Sequence, residues 1–148
     1  MNELSDLYQE LILDHNRSPL NYGILPDPDH VSHGDNPLCG DKVALFLKIN
    51  GGVIDDIRFQ GVGCAISTAS ASLMTESVKG KTQEEAIRTM KQFHSMVTEE
   101  GDGNFEKLGK LAAFSGVRDY PVRVKCATLV WHTFRAAIDG GARTVSTE

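Results

Sequence analysis

The stretch that decides the fold is Val43-Ala44-Leu45-Phe46-Leu47-Lys48-Ile49, which is followed by Asn50-Gly51-Gly52. The first part is an apolar run, and an asparagine followed by glycines is typical of a tight turn. Beyond the turn, Ile57 and Phe59 alternate with polar residues, as expected of a strand with one packed face. The stretch and the segment after it therefore predict a β-hairpin.

A hairpin of this length is not stable alone, so helices must cover its apolar face. We predict an α+β fold in a single domain, residues 1–148: a small antiparallel sheet, the hairpin plus a third strand, covered by about five helices. The helices are predicted at 4–15, from Cys64 to Val78, from the capping box Thr82–Glu85, around Phe105–Leu111, and from Pro121 to Gly140. The connections are predicted as an extended loop over 19–37, a turn over 116–120 and a frayed polar tail.

Composition and charge limit the partners and the cellular location that we expect for the protein. The chain has 148 residues and a net charge of −5, with no basic block. Nucleic acid and an anionic membrane surface are therefore excluded as expected partners. The acidic N-terminus has no signal-peptide pattern and no apolar run is long enough to span a bilayer, so we expect a cytoplasmic protein. As a separate expectation, the protein is a monomer or weak dimer. Three cysteines are an odd number, which argues against a disulfide framework.

The segment Asn36-Pro37-Leu38-Cys39-Gly40-Asp41 places a thiol and a carboxylate two positions apart. Cys64 and Cys126 each open a helix-like run, where the helix dipole favours a thiolate. Thiolates and carboxylates are zinc ligands, but there is no Cys-x-x-Cys pair. Spacing alone favours buried structural cysteines and leaves a metal site as the alternative.

The histidines and two aromatic residues have simpler interpretations. His15 is expected to cap the first helix, and His30 and His33 are expected to be exposed loop residues, although the sequence leaves open whether either approaches a metal. His94 and His132 are expected at the surface or its boundary, and Trp131 and Phe134 in the core.

Three segments resemble the U-type iron–sulfur assembly proteins, the family of IscU, SufU and the NifU N-terminal domain. The resemblance is collinear from about Leu7 to Ile138. The segments are Asp14-His15-Asn16-Arg17-Ser18-Pro19 with Asn21-Tyr22-Gly23, then Asn36 to Asp41, then Gly61-Val62-Gly63-Cys64-Ala65-Ile66-Ser67 with Ala69-Ser70-Ala71-Ser72.

Within this family the chain resembles the SufU-type branch. Scaffold members of the IscU type carry a histidine directly before the third cysteine, where this chain has Lys125. The stretch from about 80 to 120 looks like the SufU-type insertion. Tyr120-Pro121-Val122-Arg123 replaces the chaperone-binding sequence of the scaffold branch, which puts an Hsp70 partner in doubt.

The resemblance implies a function as well as a fold. It implies that Cys39, Asp41, Cys64 and Cys126 bind Zn²⁺, and that Cys39 accepts persulfide sulfur from a SufS-type, PLP-dependent cysteine desulfurase, which exchanges a ligand at the zinc. Such a protein is a sulfurtransferase-like persulfide carrier that serves downstream iron–sulfur assembly proteins, rather than a self-sufficient enzyme. Arg123 is a candidate for influencing the site electrostatically. The alternatives are a scaffold that assembles a [2Fe–2S] cluster, or binds iron, on the same ligands, and a structural zinc domain.

Overall fold

The structure is a computed structural model that describes residues 3–37, 39–98, 106–140 and 144–146. It contains four α-helices, four strands and a 3₁₀ segment within these ranges. The helices are α1 (Glu3–Arg17), α2 (Ala65–Val78), α3 (Gln83–Thr98) and α4 (Pro121–Gly140); the strands are β1 (His30–Asn36), β2 (Asp41–Asn50), β3 (Val53–Val62) and β4 (Thr144–Ser146); the 3₁₀ segment is Glu106–Asp119.

The sheet has the strand order β3-β2-β1-β4. The predicted hairpin is confirmed as β2 and β3, which pair antiparallel on either side of the turn. β1 pairs antiparallel with β2 and supplies the predicted third strand. The short strand β4 then pairs in parallel with β1, so part of the tail that was predicted to be frayed is a sheet edge.

The location of β1 corrects the prediction of one long loop over 19–37. Its inward-facing residues are Ser32, Gly34 and Asn36, which are buried although none of them is a large apolar residue. At Gly34, an added Cβ would collide with Thr133 Oγ1 on α4 and lie 3.0 Å from Leu129. The absence of a side chain at Gly34 therefore lets α4 lie close against the strand, and this packing replaces the apolar alternation that marks most strands.

The core lies between the sheet and the helices. Alternate residues of β2 face inward, and Leu45 and Leu47 are completely buried. Trp131 and Phe134 of α4 are core residues, as predicted, and the Trp131 ring stacks on Phe93 with 5.1 Å between ring centroids. α4 also contacts β1 and β2. Burial of its large apolar side chains between the sheet and the other helices sets the position of this helix.

Local signals set where α3 and α4 begin. The predicted capping box is confirmed: Glu85 N–H donates to Thr82 Oγ1 and Thr82 N–H to Glu85 Oε1, each over 3.1 Å. Pro121 is the first residue of α4, where its missing N–H costs nothing. The turn predicted over 116–120 is wrong, because the 3₁₀ segment continues to Asp119.

Two predictions for the chain around α3 and before α4 are not tested by the described residues. The prediction at Phe105 lies outside the described residues, and the insertion proposed for 80–120 stays a prediction. None of the helices described has the length and apolar character that crossing a membrane requires.

Candidate metal centre

The turn between β1 and β2 presents Cys39. The carbonyl of Asn36 accepts hydrogen bonds from Cys39 N–H at 3.2 Å and from Gly40 N–H at 2.9 Å. Gly40 has φ of +73°, a left-handed conformation that glycine adopts without a Cβ penalty. The chain therefore reverses over a few residues, and Cys39 lies exposed at the tip while Asp41 returns to the sheet opposite Asn36.

Asp41 is a completely buried carboxylate that accepts hydrogen bonds from two donors, which lie on different elements. Its Oδ1 accepts from Cys64 N–H, at the start of α2, over 3.0 Å. Its Oδ2 accepts from the Asn36 amide Nδ2 over 3.3 Å. Gly63 makes room for this arrangement, because a Cβ there would lie 2.7 Å from Asp41 Oδ1. A buried carboxylate requires such partners, so Asp41 is fixed in place by the sheet and by α2 together.

Cys126 is the buried thiol of the site. It lies in the first part of α4, as the sequence predicts, and is 3% exposed. Its sulfur lies 3.6 Å from the sulfur of Cys39. Burial raises the pKa of Cys126, and hydrogen bonds with Asp41, Cys39 and Cys64 raise it further. Without a metal, this sulfur therefore remains a protonated thiol at neutral pH.

Three of the four predicted ligands converge. Among the described residues, ligand atoms of Cys39, Asp41 and Cys126 all lie within 4.8 Å of one another. Cys64 is outside that group, but its N–H binds Asp41 and its side chain influences the pKa of Cys126. Two or three sulfurs and one carboxylate are a donor set that suits Zn²⁺. The residues present thus fit the metal, and the complete four-ligand set stays a prediction.

The burial of the four residues divides the centre into two halves. Cys39 and Cys64 are exposed, whereas Asp41 and Cys126 are buried. Val62, two residues before Cys64, is 69% exposed and adds an apolar surface at the open side. A sulfur on a partner protein could therefore approach Cys39 or Cys64 from solvent, while Cys126 is shielded by the fold.

Other candidate residues lie elsewhere. Arg123 is exposed, with its guanidinium 4.8 Å from the centroid of the Tyr120 ring, and its influence on the thiols stays a prediction. His30 and His33 are in β1 rather than in a loop, and neither belongs to the ligand group found within the described ranges. His94 and His132 lie at the surface, as predicted.

His15 differs from its predicted role as a charged helix cap. It is 9% exposed, and its Nδ1 lies 2.7 Å from Ser72 Oγ on α2. Burial is the main cause that lowers its pKa, so the neutral ring is favoured. The same Ser72 oxygen accepts from Leu20 N–H at 2.8 Å. His15 therefore links α1 to α2 instead of placing a positive charge at a helix end.

Asn36 is a site residue for which the sequence predicts no role. Its amide contacts both Asp41 and Cys126, the two buried members of the centre. The only signal in the sequence is its place at the head of the Cys-Gly-Asp segment. An asparagine before a proline is otherwise typical of a turn, so the neighbouring residues do not predict that Asn36 is buried.

Comparison with known proteins identifies similar chains. The family model described as the NifU-like N-terminal domain matches residues 7–127. The chain is 40% identical over 135 residues, 91% of each protein, to the zinc-dependent sulfurtransferase SufU of Bacillus subtilis. It is 38% identical over 142 residues to the iron–sulfur cluster assembly scaffold protein IscU of Streptococcus pyogenes, covering 96% of this chain and 89% of that protein.

A solved structure has the same fold. It is a crystal structure from Fervidobacterium islandicum AW-1, assigned as an iron–sulfur cluster assembly scaffold protein for the SUF system. The TM-score is 0.81 with 39% sequence identity, and the match covers 87% of this chain and 94% of that one.

Proposed function

Because the chain belongs to the family of NifU-like N-terminal domains, the U-type proteins of iron–sulfur cluster assembly, we propose that it is a zinc-dependent sulfur-transfer protein. In this proposal it accepts persulfide sulfur from a SufS-type cysteine desulfurase and passes it to downstream iron–sulfur assembly proteins. Cys39 is the sulfur acceptor. The thiols require a reducing compartment, for which we propose the cytoplasm.

One observation carries the proposal: an exposed thiol stands beside a buried thiol and a buried carboxylate. Cys39 lies at the tip of a short turn, 3.6 Å from the Cys126 sulfur. Cys126 and Asp41 are held by α4, α2 and β1, whereas Cys39 is held mainly by backbone hydrogen bonds within its own turn. Cys39 can therefore move toward a partner at a smaller energetic cost than the buried pair.

The residues provide what sulfur transfer needs. Bound Zn²⁺ would keep its cysteine ligands deprotonated. The thiolate of Cys39 attacks the outer sulfur of a persulfide on the donor cysteine. A new S–S bond forms on Cys39, the donor S–S bond breaks, and the donor cysteine leaves as a thiolate, so no net oxidation or reduction occurs. Exposure of Cys39 gives the donor access, and burial of Cys126 excludes it from the same reaction.

The alternative function is a scaffold that assembles a [2Fe–2S] cluster on the same residues. It is favoured by the donor set, since thiolates also bind iron–sulfur clusters, and by the name of the Streptococcus pyogenes relative. Anaerobic reconstitution followed by rapid transfer of a cluster to an apo-acceptor, unaffected by zinc, would support this alternative. Unfolding on chelation, with no sulfur ever found on a thiol, would instead indicate a structural zinc domain.

The proposal is tested by desulfurase turnover. The native protein, zinc-loaded at one ion per chain, should stimulate the rate at which a SufS-type desulfurase releases alanine from cysteine. Cys39→Ala should abolish that stimulation. The control Asn50→Ala changes an exposed residue at the end of β2 and should preserve the stimulation. Equal stimulation by Cys39→Ala and the native protein would exclude Cys39 as the acceptor.

A further inference from the structure

Asn36 is the residue on which the buried half of the metal centre depends most directly. It ends β1, is completely buried, and lies opposite Asp41 in the sheet register. Its side-chain Nδ2 is 3.3 Å from Asp41 Oδ2 and 3.6 Å from Cys126 Sγ. One amide group therefore joins a ligand from the sheet to a ligand from α4.

The orientation of the amide follows from what surrounds it. Turned the other way, its carbonyl oxygen would face the carboxylate of Asp41 and the sulfur of Cys126, both of which accept hydrogen bonds when charged. In the observed orientation, Nδ2 donates toward both. A carboxylate oxygen only accepts hydrogen bonds, so the orientation that turns Nδ2 toward Asp41 is the one that makes a hydrogen bond there.

The other end of the amide is unusual. Asn36 Oδ1 is buried, and no hydrogen-bond partner for it exists among the described residues. A buried acceptor without a partner opposes folding, and such groups are rare in native proteins. An apolar residue of similar shape would avoid this cost. The cost of this unpaired oxygen is set against the two contacts that Nδ2 makes with Asp41 and Cys126.

The backbone of Asn36 adds a separate connection to Cys39. Its carbonyl accepts from the Cys39 and Gly40 amides, which closes the turn that presents the exposed thiol. The main chain of this residue thus supports the exposed half of the centre, and its side chain supports the buried half. A substitution of the side chain leaves the backbone bonds available, so the two contributions can be separated by experiment.

We propose that Asn36 is a positioning residue that holds Asp41 and Cys126 together in the zinc-binding arrangement and so slows loss of the metal when Cys39 departs. This inference rests on the proposed zinc-binding function. Residues that hydrogen-bond to metal ligands from outside the coordination shell commonly change metal affinity by about 10- to 100-fold when they are replaced. Asn36 occupies such a position for two ligands at once.

Two substitutions separate this role from a purely structural one. Asn36→Leu keeps the branched shape but removes the donor and the unpaired acceptor. Asn36→Asp keeps the size but replaces the donor with a carboxylate oxygen facing Asp41. The matched control is Asn50→Asp, the same chemical change at the exposed end of β2. Each variant is loaded with Zn²⁺, and the rate of zinc transfer to a chromogenic chelator is measured.

We expect zinc to leave both Asn36 variants about 10- to 100-fold faster than the native protein. The control should stay within about twofold of the native rate, since Asn50 is exposed and aspartate, like asparagine, is favoured before a glycine in a hairpin turn. In the metal-free Asn36→Leu protein, removal of the unpaired Asn36 Oδ1 is offset by loss of the donor to Asp41 Oδ2, so its unfolding temperature should stay within about 5 °C of that of the metal-free native protein. A structural role would instead lower that temperature and leave zinc release unchanged.

The cobalt form gives a second, spectroscopic measurement. With Co²⁺ in place of zinc, native protein and Asn50→Asp should share one visible spectrum, and the Asn36 variants should show an altered sulfur-to-cobalt band. Zinc release within twofold of native in both Asn36 variants would overturn the inference, even if Cys39 carries sulfur. A native chain that retains no zinc would overturn it together with the zinc part of the proposed function. Faster release with no sulfur on Cys39 would overturn the sulfur role only.

Discussion

The exposed and buried halves of the metal centre are held by different kinds of interaction. Cys39 lies on a turn whose hydrogen bonds are local, between residues a few positions apart. Asp41 and Cys126 are buried, and their contacts join the sheet to the two helices α2 and α4. Local turn bonds open at little cost, whereas displacing the buried residues would disturb the core.

In the proposed function, this difference lets one centre both hold a metal and offer a thiol. If all four residues were buried, a partner could not reach the acceptor. If all were exposed, nothing would keep the ligands together when one of them left. In the proposed function, Asp41 and Cys126 retain the metal and Cys39 is the reactive thiol. Cys64 combines both features, since its side chain is exposed and its backbone N–H binds the buried carboxylate.

The largest expected effect is on thiol reactivity. In the zinc-free protein, Cys126 should react with iodoacetamide about 100-fold more slowly than Cys39, because burial both shields its sulfur and keeps the thiol protonated. Because the pKa of Cys126 is raised, its alkylation should stay slow when the pH is increased from 7 to 9. Peptide mass spectrometry after timed labelling measures both rates. Equal rates for the two cysteines would remove the distinction between the halves.

A smaller effect is expected from crowding the buried half. In Gly63→Ala the new Cβ would meet Asp41 Oδ1 and the Ser67 hydroxyl, so the carboxylate must shift. We expect a loss of about 1–3 kcal/mol in the free energy of unfolding. Zinc release should be faster as well, by about 10-fold.

The matched control is Gly116→Ala, where no atom lies within 4 Å of the added Cβ. Its free energy of unfolding should change by no more than about 0.5 kcal/mol, with zinc release unchanged. Urea unfolding and chelator assays of the two variants make the comparison. If both glycine variants behave alike, the close approach of Gly63 to Asp41 has no role in the centre.

The smallest effect is expected on the pH dependence of stability, through His15. This residue lies away from the metal centre and links α1 to α2. Its pKa is lowered by burial in the folded state, so the unfolded chain binds the proton more readily. The contribution of His15 to stability is therefore complete above the unfolded pKa of about 6.5 and falls as the pH drops below it.

This pH dependence is measured by urea unfolding of the zinc-free protein between pH 7.5 and 5. His15→Asn should make the decline shallower, while His33→Asn, a change at an exposed histidine, should leave it as in the native protein. The ratio of Cys39 to Cys126 alkylation should be the same in both variants. A decline that is equally steep in His15→Asn would assign the pH dependence to other groups.

The sequence predicted the elements whose signals are local. The turn after Ile49, the capping box at Thr82 and Glu85, and the start of α4 at Pro121 each depend on neighbouring residues, and each is present in the structure. A third strand was predicted, but its position at β1 was missed because the inward face of β1 consists of small and polar residues that α4 covers. That packing partner is about a hundred positions away in the chain, and no local pattern reveals it.

The same distinction applies to the candidate site. Cys39 and Asp41 are neighbours, and their pairing could be predicted from spacing. The approach of Cys126 was inferred only from the family resemblance, because it depends on how α4 lies against the sheet. Asn36 received no role, since its burial and its two contacts arise only once β1, β2 and α4 have packed together.

The central claim, that the exposed Cys39 accepts sulfur while the buried half retains the metal, is tested most directly by locating the sulfur. The zinc-loaded protein is incubated with a SufS-type desulfurase and cysteine, free thiols are alkylated, and intact protein and peptides are analysed by mass spectrometry. We expect one added sulfur atom, carried by the peptide containing Cys39, with zinc still bound. Sulfur found mainly on Cys126, or sulfur on Cys39 only after all zinc has been lost, would contradict the account.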